Sequence, residues 1–143
     1  MPPAPPDPTL PLPDNAVVVR FGGQNTDWVG KAREQATESS ADPDVGRFEL
    51  STWCAIPLDE SPEEIEAAIH LACEAAPFSY SLIRVATASE LRDEGLDLDW
   101  KEAQADGSPL HWNIPLASAD EADKAVGVFG DTKRNPGKKR RAR

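Results

Sequence analysis

Cysteine is scarce in this chain: Cys54 and Cys73 are the only two in 143 residues. They share no short spacing, so neither a disulfide framework nor a CxxC metal or redox site is expected. Both sit inside apolar segments, where reduced buried thiols are the usual outcome, although the residues leave a single Cys54–Cys73 bridge open. Long apolar runs are also missing. No stretch approaches the ~20 residues that a membrane helix requires, so no membrane association is expected. The start, MPPAPPDPTLPLP, carries neither a basic region nor an apolar block, which argues against a secretory leader and for a cytoplasmic protein. Histidine occurs twice, as His70 and His111, and limits what acid–base or metal chemistry the chain can hold.

Basic residues are rare everywhere except at one end. Residues 131–143 hold seven of the 15 Lys and Arg with one acid, Asp131, whereas the remainder has 24 acids against eight bases, a net charge of −16. A body this acidic repels phosphate at long range and favours encounter with a basic partner. The tail residues Lys138, Lys139, Arg140, Arg141 and Arg143 could neutralise phosphates without reading sequence. They lack aromatic neighbours for base stacking, so a solvated end or an electrostatic auxiliary is the simpler reading. Nucleic-acid binding, if present, belongs to this tail alone.

Proline is abundant and confined in pattern: seven of the 14 lie in residues 1–14. They exclude regular hydrogen bonding and point to an extended, disordered arm. The expected organisation is this arm, one domain over 15–130 and a disordered basic tail over 131–143. Within the domain, Val17–Phe21 reads as a strand stopped by Gly22 and Gly23. The segment TDWVGKAREQATES has near-helical spacing interrupted by Gly30. RFELSTWCAIPL is a strand with Thr52, Cys54 and Ile56 on one face and Trp53 and Ala55 on the other. A helix follows, with Ser61 as cap, Glu64 completing a capping box, Pro62 in the first turn and an apolar stripe of Ile65, Ala68, Ile69, Ala72 and Ala76. A third strand runs to Ala86; Thr87 and Glu90 form a capping box for a short helix, and Gly95 supplies its stop.

LDLDW and LHWNIPL alternate as half-buried strands, the second placing Leu110, Trp112, Ile114 and Leu116 on one face and Pro115 near a sheet edge. Ser118 and Glu121 open a last helix with Ala122, Ala125, Val126 and Phe129 on its stripe. These elements predict an α+β (or α/β) fold, one sheet of about five strands with three or four helices packed on it.

Few residues combine into chemistry. FGGQNT lacks the lysine of a phosphate-binding loop and reads as a turn. His70, with Glu66 and Glu74 four residues to either side, forms a solvated helix face rather than a specific metal site; no cofactor or metal is expected. His111 and Asn113 share the polar face of their strand and are the candidates for an acid and an oxyanion donor, but no nucleophile stands at a fixed spacing from them. Asp97 and Asp99 share the outward face of theirs, with Glu102, Asp106, Asp120, Glu121 and Asp123 further on, as an acidic chain generates by composition. Trp53 points away from the main apolar face of its strand, so either a second layer covers it or a partner does.

The segments YSLIRVATASELRDEGLDL, SPLHWNIPL and VFGDTKRNPG together resemble small uncharacterised bacterial proteins. In those, a strand ends in Arg-Val-x-Thr, a short helix carries Leu-Arg before a glycine, a His-bearing strand follows and an Asn-Pro lies near the end. The matching positions are Arg84, Val85, Thr87, Leu91, Arg92, Gly95, His111, Asn135 and Pro136. The resemblance implies a recurring bacterial domain and brings no activity with it. Charge, tryptophan content and the missing catalytic constellation point first to a non-catalytic protein that engages a basic partner, as immunity proteins and antitoxins do, with Trp53, Asp97 and Asp99 as its contacts. The alternative is a small enzyme using His111, Asn113 and a neighbouring acid.

Overall fold

Val17, Val18 and Val19 are β-branched and stand in direct succession, which suits a strand covered on both faces. In the computed structural model, which describes residues 3–21, 48–76, 82–100, 109–116, 119–129 and 133–136, these three are at most 1% exposed and form the middle of the sheet. The strands are β1 (Val17–Phe21), β2 (Phe48–Ala55), β3 (Leu82–Thr87), β4 (His111–Leu116) and β5 (Lys133–Arg134), in the order β4-β2-β1-β3-β5. Every pairing among them is antiparallel, so the fold is α+β. The helices among the described residues are α1 (Pro62–Ala75), α2 (Ala88–Asp93) and α3 (Ala119–Val128). Only α1 and α3, of 14 and 10 residues, exceed two turns. The helix anticipated near Trp28 falls outside the described residues.

Strand alternation divides the core in two. Val17, Val19, Phe21, Trp53, Ala55 and Ile83 face α1, which meets them with Ala68, Ile69, Ala72 and Cys73. The stripe read from the sequence is therefore the buried one, and Ser61 caps the helix, accepting from the Glu64 amide at 3.3 Å, which is one half of the box read there. On the other face Val18, Cys54, Ala86, Trp112 and Ile114 pack with Leu91, Leu96, Leu98, Ala125 and Phe129. Cys54 and Cys73 thus lie on opposite faces of the sheet, and no disulfide joins them.

Thr87 and Glu90 close both halves of the capping box of α2. At its other end Gly95 adopts φ +78°, a left-handed conformation that favours glycine. The Gly95 amide donates to the Arg92 carbonyl at 2.9 Å and the Leu96 amide to that of Leu91 at 3.0 Å, the two bonds of a Schellman stop. Leu96 then folds back onto Leu91 within one core cluster.

Four expectations change. Residues 3–14 are not a disordered extension: Leu12 is 2% exposed and belongs to the core, and Ala4 exchanges both backbone bonds with Ile56, at 3.0 and 2.8 Å. Prolines forbid a regular ladder but not a single bridge or side-chain burial. The basic tail likewise begins in structure, since Lys133 and Arg134 pair with Ile83 and Leu82 and Asn135 is buried. LDLDW keeps its alternating burial yet is no strand; one isolated bridge joins Asp99 to Asn113. The Asp97 carboxylate accepts from the Leu98 amide at 2.8 Å, a local bond that competes with a ladder. Leu110, finally, precedes β4 in a turn and packs on the α1 side, opposite Trp112 and Ile114.

Truncation at Leu12 tests the docked arm. Leu12→Ala should lower unfolding free energy by about 2–4 kcal/mol, the cost of a core leucine, measured by urea denaturation; an arm in solvent predicts no change. Cys54 provides a second test. Burial pushes its thiol up to about 12, opposed by a weaker contact with Thr52. The unfolded chain therefore loses this proton near the ordinary thiol value while the folded chain keeps it. Stability should decline as pH rises from the ordinary value toward about 12, and Cys54→Ala should flatten that decline in pH-dependent denaturation.

Candidate functional site

Trp53 of β2 and His111 of β4 occupy opposite positions in the ladder. Their rings stack with centroids 4.5 Å apart and planes 9° from parallel. Of the two outcomes open for Trp53, the structure selects burial: the indole is 2% exposed, within the cluster that α1 covers. It is a core residue and offers no surface to a partner. The imidazole is half-buried at the rim of that layer, so its orientation is set by the indole beneath it.

Asn113 lies two residues along the same strand and on the same face, 8% exposed. The bridge to Asp99 consists of two backbone bonds of 2.8 Å, Asp99 amide to Asn113 carbonyl and the reverse. Paired residues in an antiparallel bridge present side chains to one face, so Asp99 joins Asn113 and His111 at this edge. Asp97 does not. Its carboxylate accepts from the Arg92 Nε at 3.0 Å, and Arg92 donates through a second nitrogen to Asp14 of the arm at 2.6 Å. Burial disfavours the charged guanidinium, but these carboxylates more than offset it and raise its pKa above the ordinary value. Asp97 and Asp99 keep the outward exposure read from alternation but are tied differently: the carboxylate of Asp97 joins the arm and α2 through Arg92, while the backbone of Asp99 bridges to Asn113 of β4.

The segment from α2 to Asp99 is anionic. Glu90, Asp93, Glu94, Asp97 and Asp99 are all exposed, and the one base in residues 88–100, Arg92, is occupied by Asp14 and Asp97. The outward face of α1 is acidic too: Glu66 reaches Lys133 at 3.5 Å, while His70 and Glu74 pair at 2.6 Å. Among the described residues no group of three or more His, Cys, Asp or Glu could hold a metal, and no helix is long and apolar enough to cross a membrane. Lys138, Lys139, Arg140, Arg141 and Arg143 lie outside the described residues, as do Glu102 and Asp106. The bond between Arg92, Asp14 and Asp97 escaped the sequence reading because its partners are 78 and five residues apart and no local pattern announces the longer link.

The ring stack is open to measurement. A double-mutant cycle of Trp53→Leu and His111→Ala should give a coupling of about 1 kcal/mol, the scale of a stacked aromatic pair, whereas two independent rings would give additive losses.

No protein family, curated protein or solved structure matches the chain.

Proposed function

We propose that this chain is a non-catalytic acidic binding protein that engages a basic protein partner, of the kind represented by immunity proteins and antitoxins, in the cytoplasm. One observation carries the reading: the exposed carboxylates of Glu90, Asp93, Glu94, Asp97 and Asp99 stand on one continuous segment whose sole base is already paired. Such a surface steers a cationic macromolecule and holds it by charge-assisted bonds. Trp53 drops out of the contact set because α1 covers it, leaving Asp97 and Asp99 of the original three, to which the exposed Asp93 and Glu94 of the same segment are added. The analogy to immunity proteins and antitoxins rests on charge and size alone.

The direct test starts from the full-length chain immobilised in lysate at low salt. Bound proteins eluted by raised salt should be basic, and their association should slow with ionic strength. Replacing Asp93, Glu94 and Asp99 by Asn, Gln and Asn should reduce the association rate about tenfold with less effect on dissociation. Retention of neutral or acidic proteins only, or an unchanged rate in the variant, contradicts the proposal.

The meeting of Asp99, Asn113 and His111 at the β4 edge favours one second reading, an enzyme that uses His111 as acid or base with Asn113 and Asp99 in support. An activity abolished by His111→Ala, with thermal unfolding retained, would replace the binding reading.

A further inference from the structure

The basic end of the chain enters the structure on an acid. Lys133 of β5 is opposite Ile83, which packs under α1, so both side chains turn to the α1 side of the sheet. There the Lys133 ammonium reaches the Glu66 carboxylate at 3.5 Å. Glu66 belongs to a stripe: Glu63, Glu66, His70 and Glu74 recur every three or four residues on one face of α1, and all are exposed. The exposed Asp59 and Glu60 precede the helix. Residues 48–83 hold seven acids and neither Lys nor Arg. The cation on this face therefore comes from β5, the segment that runs on into the tail.

Topology directs the rest of the tail the same way. β2 and β3 are both antiparallel to β1, so they are parallel to each other, and α1 between them runs back the other way. β5 is antiparallel to β3, hence the chain beyond Arg134 leaves along the direction of α1, from Glu66 toward Glu74. The acidic segment at α2 lies beyond the far end of β3, a six-residue strand ~20 Å long, and packs on the opposite face of the sheet. Lys138 is five positions after Lys133 and Arg143 ten, reaches of up to ~17 and ~33 Å. The stripe from Glu66 to Glu74 needs only ~12 Å. We infer that the outward face of α1 is a docking surface for the chain's own basic tail, with Lys133 on Glu66 as its innermost contact and Lys138, Lys139, Arg140, Arg141 and Arg143 laid over the stripe. Each exposed pair contributes little alone, but tethering presents the five cations together at a high effective concentration. Docking in cis occupies charges that would otherwise neutralise phosphates, and it leaves the α2 segment clear.

A nitroxide on Ala142→Cys locates the tail in the full-length chain, because Cys54 and Cys73 are buried and escape labelling. At ~10 mM ionic strength, where charges act over ~30 Å, the label should broaden the amide NMR signals of Glu63, Glu66, His70 and Glu74 and spare Glu90, Asp93 and Glu94. At ~1 M, where that range falls to ~3 Å, the broadening should disappear. Glu63→Gln, Glu66→Gln and Glu74→Gln together change only solvent-facing positions and keep helix propensity. This variant should unfold at the parent's temperature yet lose the broadening at low salt. The inference is overturned if the label broadens Glu90–Asp99 instead, or broadens all surfaces evenly. It is overturned too if the effect survives the triple substitution, or grows with protein concentration, which would place the tail on a second copy. The α2 segment takes no part in these measurements, so their outcome is independent of the binding function proposed above.

Discussion

The structure depends on burying both faces of its sheet with a chain that is only 39% apolar. A sheet with one wet face would need one layer of cover; this one needs two, because Val17, Val18 and Val19 point alternately to both sides and all are buried. Among the described residues a 14-residue helix, with Leu110 beside it, covers one side. The other side is assembled from pieces: the six-residue α2, the irregular Leu96–Trp100 segment, α3 and the proline-rich arm. Leu12 and Ala16, ahead of the first strand, belong to this cover.

That economy explains what could be read from the sequence. Elements with local signals were legible: the valine run, the Ser61-capped helix, the Thr87–Glu90 box and the Gly95 stop all rest on contacts within a few residues. The covering of Trp53 was legible only as an alternative, since parity gives a residue's face and not what lies over it. The arm and the fifth strand were illegible. Each depends on partners dozens of residues away, such as Ala4 on Ile56 or Arg134 on Leu82, and composition alone pointed to solvent. LDLDW failed for the opposite reason: its pattern was right, but a local bond from the Asp97 carboxylate displaced the ladder that the pattern implies.

Charge is distributed with the same unevenness. The carboxylates around α2 gather on a segment held down by one guanidinium, whereas Lys133 and Arg134 open the basic end of the chain at the other end of β3. The net charge of −10 hides this separation. A protein with segregated charge can present different faces to different classes of partner, and its net value describes neither face.

The arm's anchors carry an implication for how the chain matures on the ribosome. Its docking partners are Ile56, Ser89 and Arg92, so this segment waits for residues made some tens of positions later. During that interval a segment with free backbone amides at every position would be open to premature pairing with a nascent neighbour. Seven imino acids among the first 14 residues remove half of those donors and hold the strand extended. The composition that suggests a floppy tether thus serves as a guard against early misassembly until the late-emerging surface arrives.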